Sequence, residues 1–474
     1  MHPSRSSTWP GRIPGAVGAD LYRYGVKEPS RAVMEKRIQS WGVSAGRKIV
    51  VYDQGGDMMA TRLFFDLYCH GVPASDLFIL DGGLARWRAQ GGAVTQEATP
   101  PPPAGSFRIT QVREEARGRF AEFCAVPGAI LMPSSDFYNA DKTFKSPDEI
   151  RRQLAYQGIR PDQVVHRHCG GGVAASVPWF ALQFLAGYPQ SRIYLESQRE
   201  WLQDERVLPY WTYSAPQMRR ESAWLDGWNA PMLRAFGVVQ LNIVDVRAAE
   251  KCAQGHVPFA INVGADIFRS HLGRPEKLAE LLGPAGVNPA HEVVIVSERG
   301  LTPGAALAYL AFQQLGQKKV SVLMDSVDEW GLRGLPLTQE STAVGAPRTA
   351  KDTAKDTAKN ITVPASTYDA QPRAGVVISD RQATRGAYPK VFVASGKAAP
   401  ARTPEGQVVR LPYTELLNAD GTPKAAKDLW QLITKSGVPR YAELIVFADD
   451  PAEAAVNYDL FKLMGWPDVK VWVN

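Results

Sequence analysis

The sequence predicts an α/β protein built from tandem units, each a parallel sheet sandwiched between helices. Three observations lead there. The chain has 474 residues, too many for one ordinary core. It repeats a strand, loop, helix, strand pattern four times. Its strands are short continuous apolar runs, which suits parallel strands buried on both faces and joined by right-handed crossovers.

The first unit has Lys48-Ile49-Val50-Val51-Tyr52-Asp53, the pair Gly55-Gly56, a helical stretch around Ala60–Tyr68, the strand Leu77–Leu80, then Asp81-Gly82-Gly83 and Trp87. The second has Val164-Val165, a glycine-rich loop, the helical stretch Ala174–Leu185, the strand Arg192–Leu195 and Trp201. The third has Val293–Val296, Ser297-Glu298-Arg299-Gly300, the helical stretch Ala305–Leu315, the strand Val320–Leu323 and Trp330. The fourth has Leu444–Ala448, the helical stretch Ala454–Met464 and Val469–Val473. The third unit adds an earlier strand, Ile243–Arg247, and the turn Gly255-His256-Val257-Pro258-Phe259-Ala260. The first unit keeps only the later half of that element, Gly11–Ala16. The recurrence of Trp87, Trp201 and Trp330 assigns them to packing.

Composition narrows the function. Hydrophobic residues make up 45% and charged residues 22%, with net charge +6. The charges are interspersed and form no basic stripe, so no nucleic-acid partner is expected. Four cysteines, Cys69, Cys124, Cys169 and Cys252, lie far apart with no CxxC pair. That argues against a disulfide framework or a zinc site. Asp53 has only Asp57 nearby as a second ligand, so no metal is expected there. No apolar run approaches a membrane span.

Cys169 is the candidate nucleophile. It opens Cys169-Gly170-Gly171-Gly172-Val173-Ala174 at a strand end, before a helical pattern. Glycines let backbone N–H groups turn toward the loop's centre. A helix N-terminus behind them adds positive potential. Both favour thiolate, the reactive form. Cys69 sits in a helical pattern, and Cys124 and Cys252 lack glycine loops, so all three read as structural or exposed thiols. At the position of Cys169 the other units carry Asp53, Ser297 and Ala448. Ser297 has no histidine base nearby in sequence and is not expected to act as a nucleophile.

These features resemble the rhodanese-like sulfurtransferases. The resemblance rests on the Arg12–Ala16 and Gly255–Ala260 turns, the Asp245-Val246-Arg247 strand end, Asp81-Gly82-Gly83 with Trp87, the segment Thr143–Glu149, and the Cys169 loop. It implies four rhodanese-like units with expected boundaries 1–105 (inactive, Asp53 at the cysteine position), 106–215 (catalytic), 216–345 (inactive, Ser297), a flexible linker 346–372, and 373–474 (inactive and degenerate). It also implies double displacement. The Cys169 thiolate takes the outer sulfur of a donor such as thiosulfate or 3-mercaptopyruvate, and the persulfide passes it to cyanide or a thiol. No cofactor is implied. The alternative reading is a sulfur carrier, charged by a partner protein, whose inactive units serve binding.

Gly170, Gly171, Gly172, Val173 and Ala174 would then cradle the sulfur. The loop lacks the basic side chains usual where thiosulfate binds. It looks closer to the loop of mercaptopyruvate sulfurtransferases, with Gly171 where those carry serine. Arg167 and His168 precede the cysteine. Strand alternation, if the strand runs that far, would put Arg167 on the side of Cys169, making it the candidate substrate contact; the alternative is a solvated or structural arginine. A related fold clamps phosphate with Cys-x5-Arg loops, but the sixth residue past Cys169 is Ala175, which excludes phosphatase chemistry. Two departures stand out. The first unit lacks the strand before Gly11. The second unit has Leu131-Met132-Pro133-Ser134 where the strand-end aspartate and arginine are expected, and Glu196-Ser197-Gln198 in place of a glycine turn. The expected compartment is the cytoplasm, or the periplasm if a signal peptide precedes Met1.

Overall fold

A computed structural model describes residues 11–20, 30–97, 99–117, 129–203, 213–235, 237–345, 362–379 and 388–473. Cys124, Trp211 and the repeat over 349–360 lie outside the described residues. The chain forms two compact units, Met1–Tyr210 and Trp211–Asn474.

In the N-terminal unit, β1 (Ile49–Val51) pairs with β2 (Leu77–Ile79), and β3 (Val165–Arg167) with β4 (Ser191–Ile193). Both pairings are parallel. Helix α1 (Met59–Cys69) follows the Asp53 loop, and helix α2 (Ser176–Phe180) follows the Cys169 loop. With its continuation the second matches the expected helical stretch Ala174–Leu185 to within two residues. After five residues it passes into a π-helical segment, Ala181–Ala186, and stops at Gly187, whose φ of 78° ends the helix. The two helical segments pack through aromatic rings. Phe64 meets Phe180 at 5.0 Å, and Phe65 meets Trp179 edge-on at 4.8 Å. These rings close a core shared by both halves of the unit.

The C-terminal unit holds two five-stranded parallel sheets of identical topology. The first contains β5 (Arg219–Arg220), β6 (Leu241–Asp245), β7 (Ala260–Asn262), β8 (Glu292–Val296) and β9 (Val320–Leu323), in the order β5-β9-β8-β6-β7. Two short strands, β10 (Val344–Gly345) and β11 (Val363–Pro364), pair with each other. The second sheet contains β12 (Val377–Ile378), β13 (Lys390–Ala394), β14 (Val408–Arg410), β15 (Glu443–Phe447) and β16 (Val469–Trp472), in the order β12-β16-β15-β13-β14. The continuous apolar runs are the central strands: every residue of β8 and of β15 is buried. Helices α3 (Pro303–Leu315) and α4 (Pro451–Leu463) follow those strands. They contribute Leu307, Leu310, Val456 and Leu460 to one fully buried core.

Several expectations need correction. The linker does not extend to residue 372. Beyond the undescribed stretch the chain packs on the C-terminal unit: Val363 N–H donates to the Ala343 carbonyl, Ser366 N–H to the Gly283 carbonyl, and the Tyr368 hydroxyl to Gln317 at 2.6 Å. Nor does Leu131–Ser134 replace a strand end. It leads into a short hairpin, as Arg410–Tyr413 does in the C-terminal unit. The hairpins share four of five residues, Asn139-Ala140-Asp141-Lys142-Thr143 and Asn418-Ala419-Asp420-Gly421-Thr422. In each, the Asn N–H donates to the Thr carbonyl at 2.8 Å, and the Thr hydroxyl donates to the Asp carboxylate at 2.6 Å. The turns Gly11-Arg12 and Gly255-His256 also correspond. Arg12 N–H donates to the Thr95 carbonyl at 2.8 Å and His256 N–H to the Thr338 carbonyl at 2.9 Å.

Candidate active site

Cys169 lies two residues beyond β3 and is partly buried. Both of its peptide groups are held. Its N–H donates to Ser197 Oγ at 3.1 Å, and its carbonyl accepts the Gln198 N–H at 3.1 Å. Its Sγ accepts the Gly172 N–H at 3.1 Å. Gly172 has φ 78°, and a Cβ there would sit 2.3 Å from the Leu195 carbonyl oxygen. Only glycine meets both conditions. A Cβ on Gly170 or Gly171 would meet nothing within 4 Å, so this side of the loop faces open space.

The N–H groups of Gly170, Gly171, Val173, Ala174 and Ala175 have no acceptor among the described residues. The corresponding loops differ. Asp53 turns its carboxylate into its own loop, accepting the Gly55 N–H at 2.8 Å and the Ala60 N–H at 3.0 Å. Burial raises the Asp53 pKa against the pull of those bonds. Ser297 is 2% exposed and donates its hydroxyl to the Gly300 carbonyl at 2.8 Å. Further along, Leu301 N–H donates to the Gly421 carbonyl at 3.0 Å, so a hairpin of the same unit seals that loop. Beside Ala448, Asp449 accepts the Ala401 N–H at 2.9 Å and Asp450 the Ala452 N–H at 2.9 Å. The side chain at the position of Cys169 therefore differs in what it does: Asp53 occupies its own loop with a carboxylate, Ser297 is tied back to a loop carbonyl, and Cys169 presents a thiol beside amides that have no acceptor among the described residues. Behind the Cys169 loop the helical run Ser176–Ala186 points its N-terminus at the loop, so loop amides and helix end contribute positive potential together.

The structure does not bring Arg167 to this loop. Its guanidinium turns back along its own strand, donating from Nη1 to the Val165 carbonyl at 2.9 Å. Burial lowers its pKa. His168 is lowered by burial as well, which favours its neutral form, and its Nδ1 has no hydrogen-bond partner among the described residues. Among the other thiols, Cys69 is 1% exposed within α1. Burial, reinforced by the Asp245 carboxylate, pushes Cys252 up to about 12. Neither suits a nucleophile. Among the described residues no group of histidine, cysteine and carboxylate side chains could hold a metal ion, and no helix is long and apolar enough to cross a membrane. Ser197 was missed as a site residue by sequence reasoning. Its signal was its register with Gly83, for Leu84 N–H donates to the Asp53 carbonyl at 2.9 Å as Gln198 N–H does to that of Cys169.

Residues 231–332 match the family model of the rhodanese-like domain. This rhodanese-like stretch contains Ser297 and lies outside the Cys169 loop. A probable 3-mercaptopyruvate sulfurtransferase of Pseudomonas aeruginosa is 29% identical over 236 residues, covering 41% of this chain and 82% of the relative. The sulfur carrier protein TtuD of Thermus thermophilus is 25% identical over 239 residues, covering 40% of this chain and 82% of the relative. SseA of Escherichia coli, described as a 3-mercaptopyruvate sulfotransferase with the rhodanese fold, is 19% identical, with 54% of this chain and 97% of that one covered and a TM-score of 0.43. The chain thus holds a rhodanese-like domain and has sulfurtransferases among its relatives. The rhodanese-like stretch that matches the family model has no thiol at its loop, for Ser297 stands there.

Proposed function

We propose that this chain is a sulfurtransferase acting through a Cys169 persulfide, with four rhodanese-like domains divided near residues 105, 215 and 345 and only the second catalytic. The observation that carries the reading is a partly buried thiol whose Sγ accepts the Gly172 N–H, in a loop where the Gly170, Gly171, Val173 and Ala174 amides have no acceptor among the described residues. With thiosulfate, the Cys169 thiolate would bond to the outer sulfur as the S–S bond to the sulfite group breaks, releasing sulfite. The persulfide left on Cys169 would carry its negative charge into the amides of Gly170, Gly171, Gly172, Val173 and Ala174. Cyanide or a thiolate would then remove the outer sulfur and regenerate the thiolate. Such a sequence is covalent catalysis with ping-pong kinetics. 3-Mercaptopyruvate is the second donor to test, since no cationic side chain among the described residues bonds into the loop to favour a dianion.

The test is cyanide-dependent thiocyanate formation with each donor, together with intact mass before and after donor. Turnover and a gain of one sulfur on the wild type, both lost in Cys169→Ser, are expected. No turnover with either donor and no added sulfur would overturn the reading. A sulfur-carrier role is the second reading, favoured by the sulfur carrier among the relatives. It predicts a persulfide that forms only when a cysteine desulfurase delivers it.

A further inference from the structure

We propose that Ser197 is a positioning residue that aims the Cys169 thiol. The proposal rests on the sulfurtransferase reading for its turnover readout and on local geometry for everything else. Ser197 is 1% exposed and stands at φ 51°, in the left-handed region that disfavours a side chain. Its counterpart in the first half of the unit is Gly83, with φ 54°. The second half therefore keeps the backbone shape of a glycine turn but places a serine in it.

The hydroxyl accounts for the exchange. Ser197 Oγ accepts the Cys169 N–H at 3.1 Å and donates to the Tyr194 carbonyl at 2.6 Å. Tyr194 N–H in turn donates to the Arg167 carbonyl at 2.8 Å. A short chain of hydrogen bonds thus runs from the end of β4 to the nucleophile's own amide. With Gln198 N–H on the Cys169 carbonyl, the residue is gripped on both sides of its Cα. The first half has only the second grip, since Gly83 offers no side chain to the Asp53 N–H. Strain accepted at one residue beside a reactive group is a recognised sign of pre-organisation. Here its yield is a fixed direction for Sγ toward the Gly172 N–H and the open amides.

The experiment compares Ser197→Gly and Ser197→Ala with the wild type in the full chain. Glycine removes the hydroxyl and relieves the left-handed strain; alanine removes the hydroxyl and keeps the strain. Both variants should lose about tenfold in kcat with thiosulfate or 3-mercaptopyruvate and cyanide, with KM held within about twofold, as expected when one hydrogen bond that orients the nucleophile is lost. Alkylation of Cys169 by iodoacetamide should slow by a similar factor. The glycine variant should melt no lower than the wild type, which separates aim from stability. Wild-type kcat together with unchanged or faster alkylation in Ser197→Gly would overturn the proposal. Should the wild type turn over neither donor, the sulfurtransferase reading fails, and the alkylation comparison still decides the role of Ser197.

Discussion

Thr61 Oγ1 and Ser176 Oγ lie 2.8 Å apart, in a seam where the two residues are 1% and 0% exposed. The bond joins α1, which follows the Asp53 loop, to α2, which follows the Cys169 loop. Ser176 also donates to the Val173 carbonyl at 2.6 Å, inside the Cys169 loop. Thr61→Val keeps the shape and removes one hydroxyl, so it should cost about 1 kcal/mol. Ser176→Ala should cost about as much or more, because it also frees the loop carbonyl. A double-mutant cycle in urea should give a coupling of about 0.5 kcal/mol or more; strict additivity would show that the bond contributes nothing.

The glycines of the loop should separate by role. Gly172→Ala forces a Cβ onto the Leu195 carbonyl at a positive φ. It should destabilise the N-terminal unit by about 2 kcal/mol or more, combining backbone strain with overpacking. Gly170→Ala and Gly171→Ala meet open space and should leave the thermal transition nearly unchanged. Differential scanning calorimetry of the three variants checks the contrast.

In the C-terminal unit, Arg219 and Asp459 form a buried ion pair that links β5 to α4, with 7% and 0% side-chain exposure. Removing either charge strands the other in the core. Arg219→Leu or Asp459→Leu should each cost about 3–5 kcal/mol, and the double variant should recover part of that loss. Comparable losses in the single variants without recovery in the double would argue against the pairing as the cause. Chemical denaturation reads all three.

Asp53 supplies a pH test. Burial raises its folded-state pKa, so the native chain holds that proton more tightly than the unfolded chain. The resulting stability is fully present below the ordinary aspartate value of about 3.9 and is lost as pH rises through the folded-state value. Relative to Asp53→Asn, the wild type should weaken as pH climbs from about 4 toward neutrality. Melting curves across that range check it, and a wild type that gained stability over Asp53→Asn as pH rose would overturn the argument.

Much of the fold was legible because buried parallel strands announce themselves. Val293–Val296 and Leu444–Phe447 are unbroken apolar runs, and both are central strands. Cys169 was legible for a related reason, since three glycines in a row leave little choice but a loop. What escaped was carried by side chains acting on backbone at a distance. Arg167 alternates as a strand residue should, yet its long side chain folds back to Val165, a rotamer choice that no periodicity encodes. Ser197 looked like a lapse in a glycine turn because its bond to Cys169 spans 28 residues. The hairpin repeat at Asn139 and Asn418 was present in the letters. Its meaning emerged only when Leu301 was found bonded to Gly421.

The side chains at the positions that match Cys169 carry a consequence for re-engineering this chain. Asp53 fills its loop with its own carboxylate, which accepts the Gly55 and Ala60 N–H groups. Beyond Ser297 the Leu301 N–H is bound by the Gly421 carbonyl of a hairpin, and beside Ala448 the carboxylates of Asp449 and Asp450 accept the Ala401 and Ala452 N–H groups. A cysteine written at position 53 would remove the group that accepts the loop amides. A cysteine at 297 or 448 would leave the hairpin and the two carboxylates in place. Installing a second thiol is therefore a single exchange at 53 and a larger redesign at the other two positions.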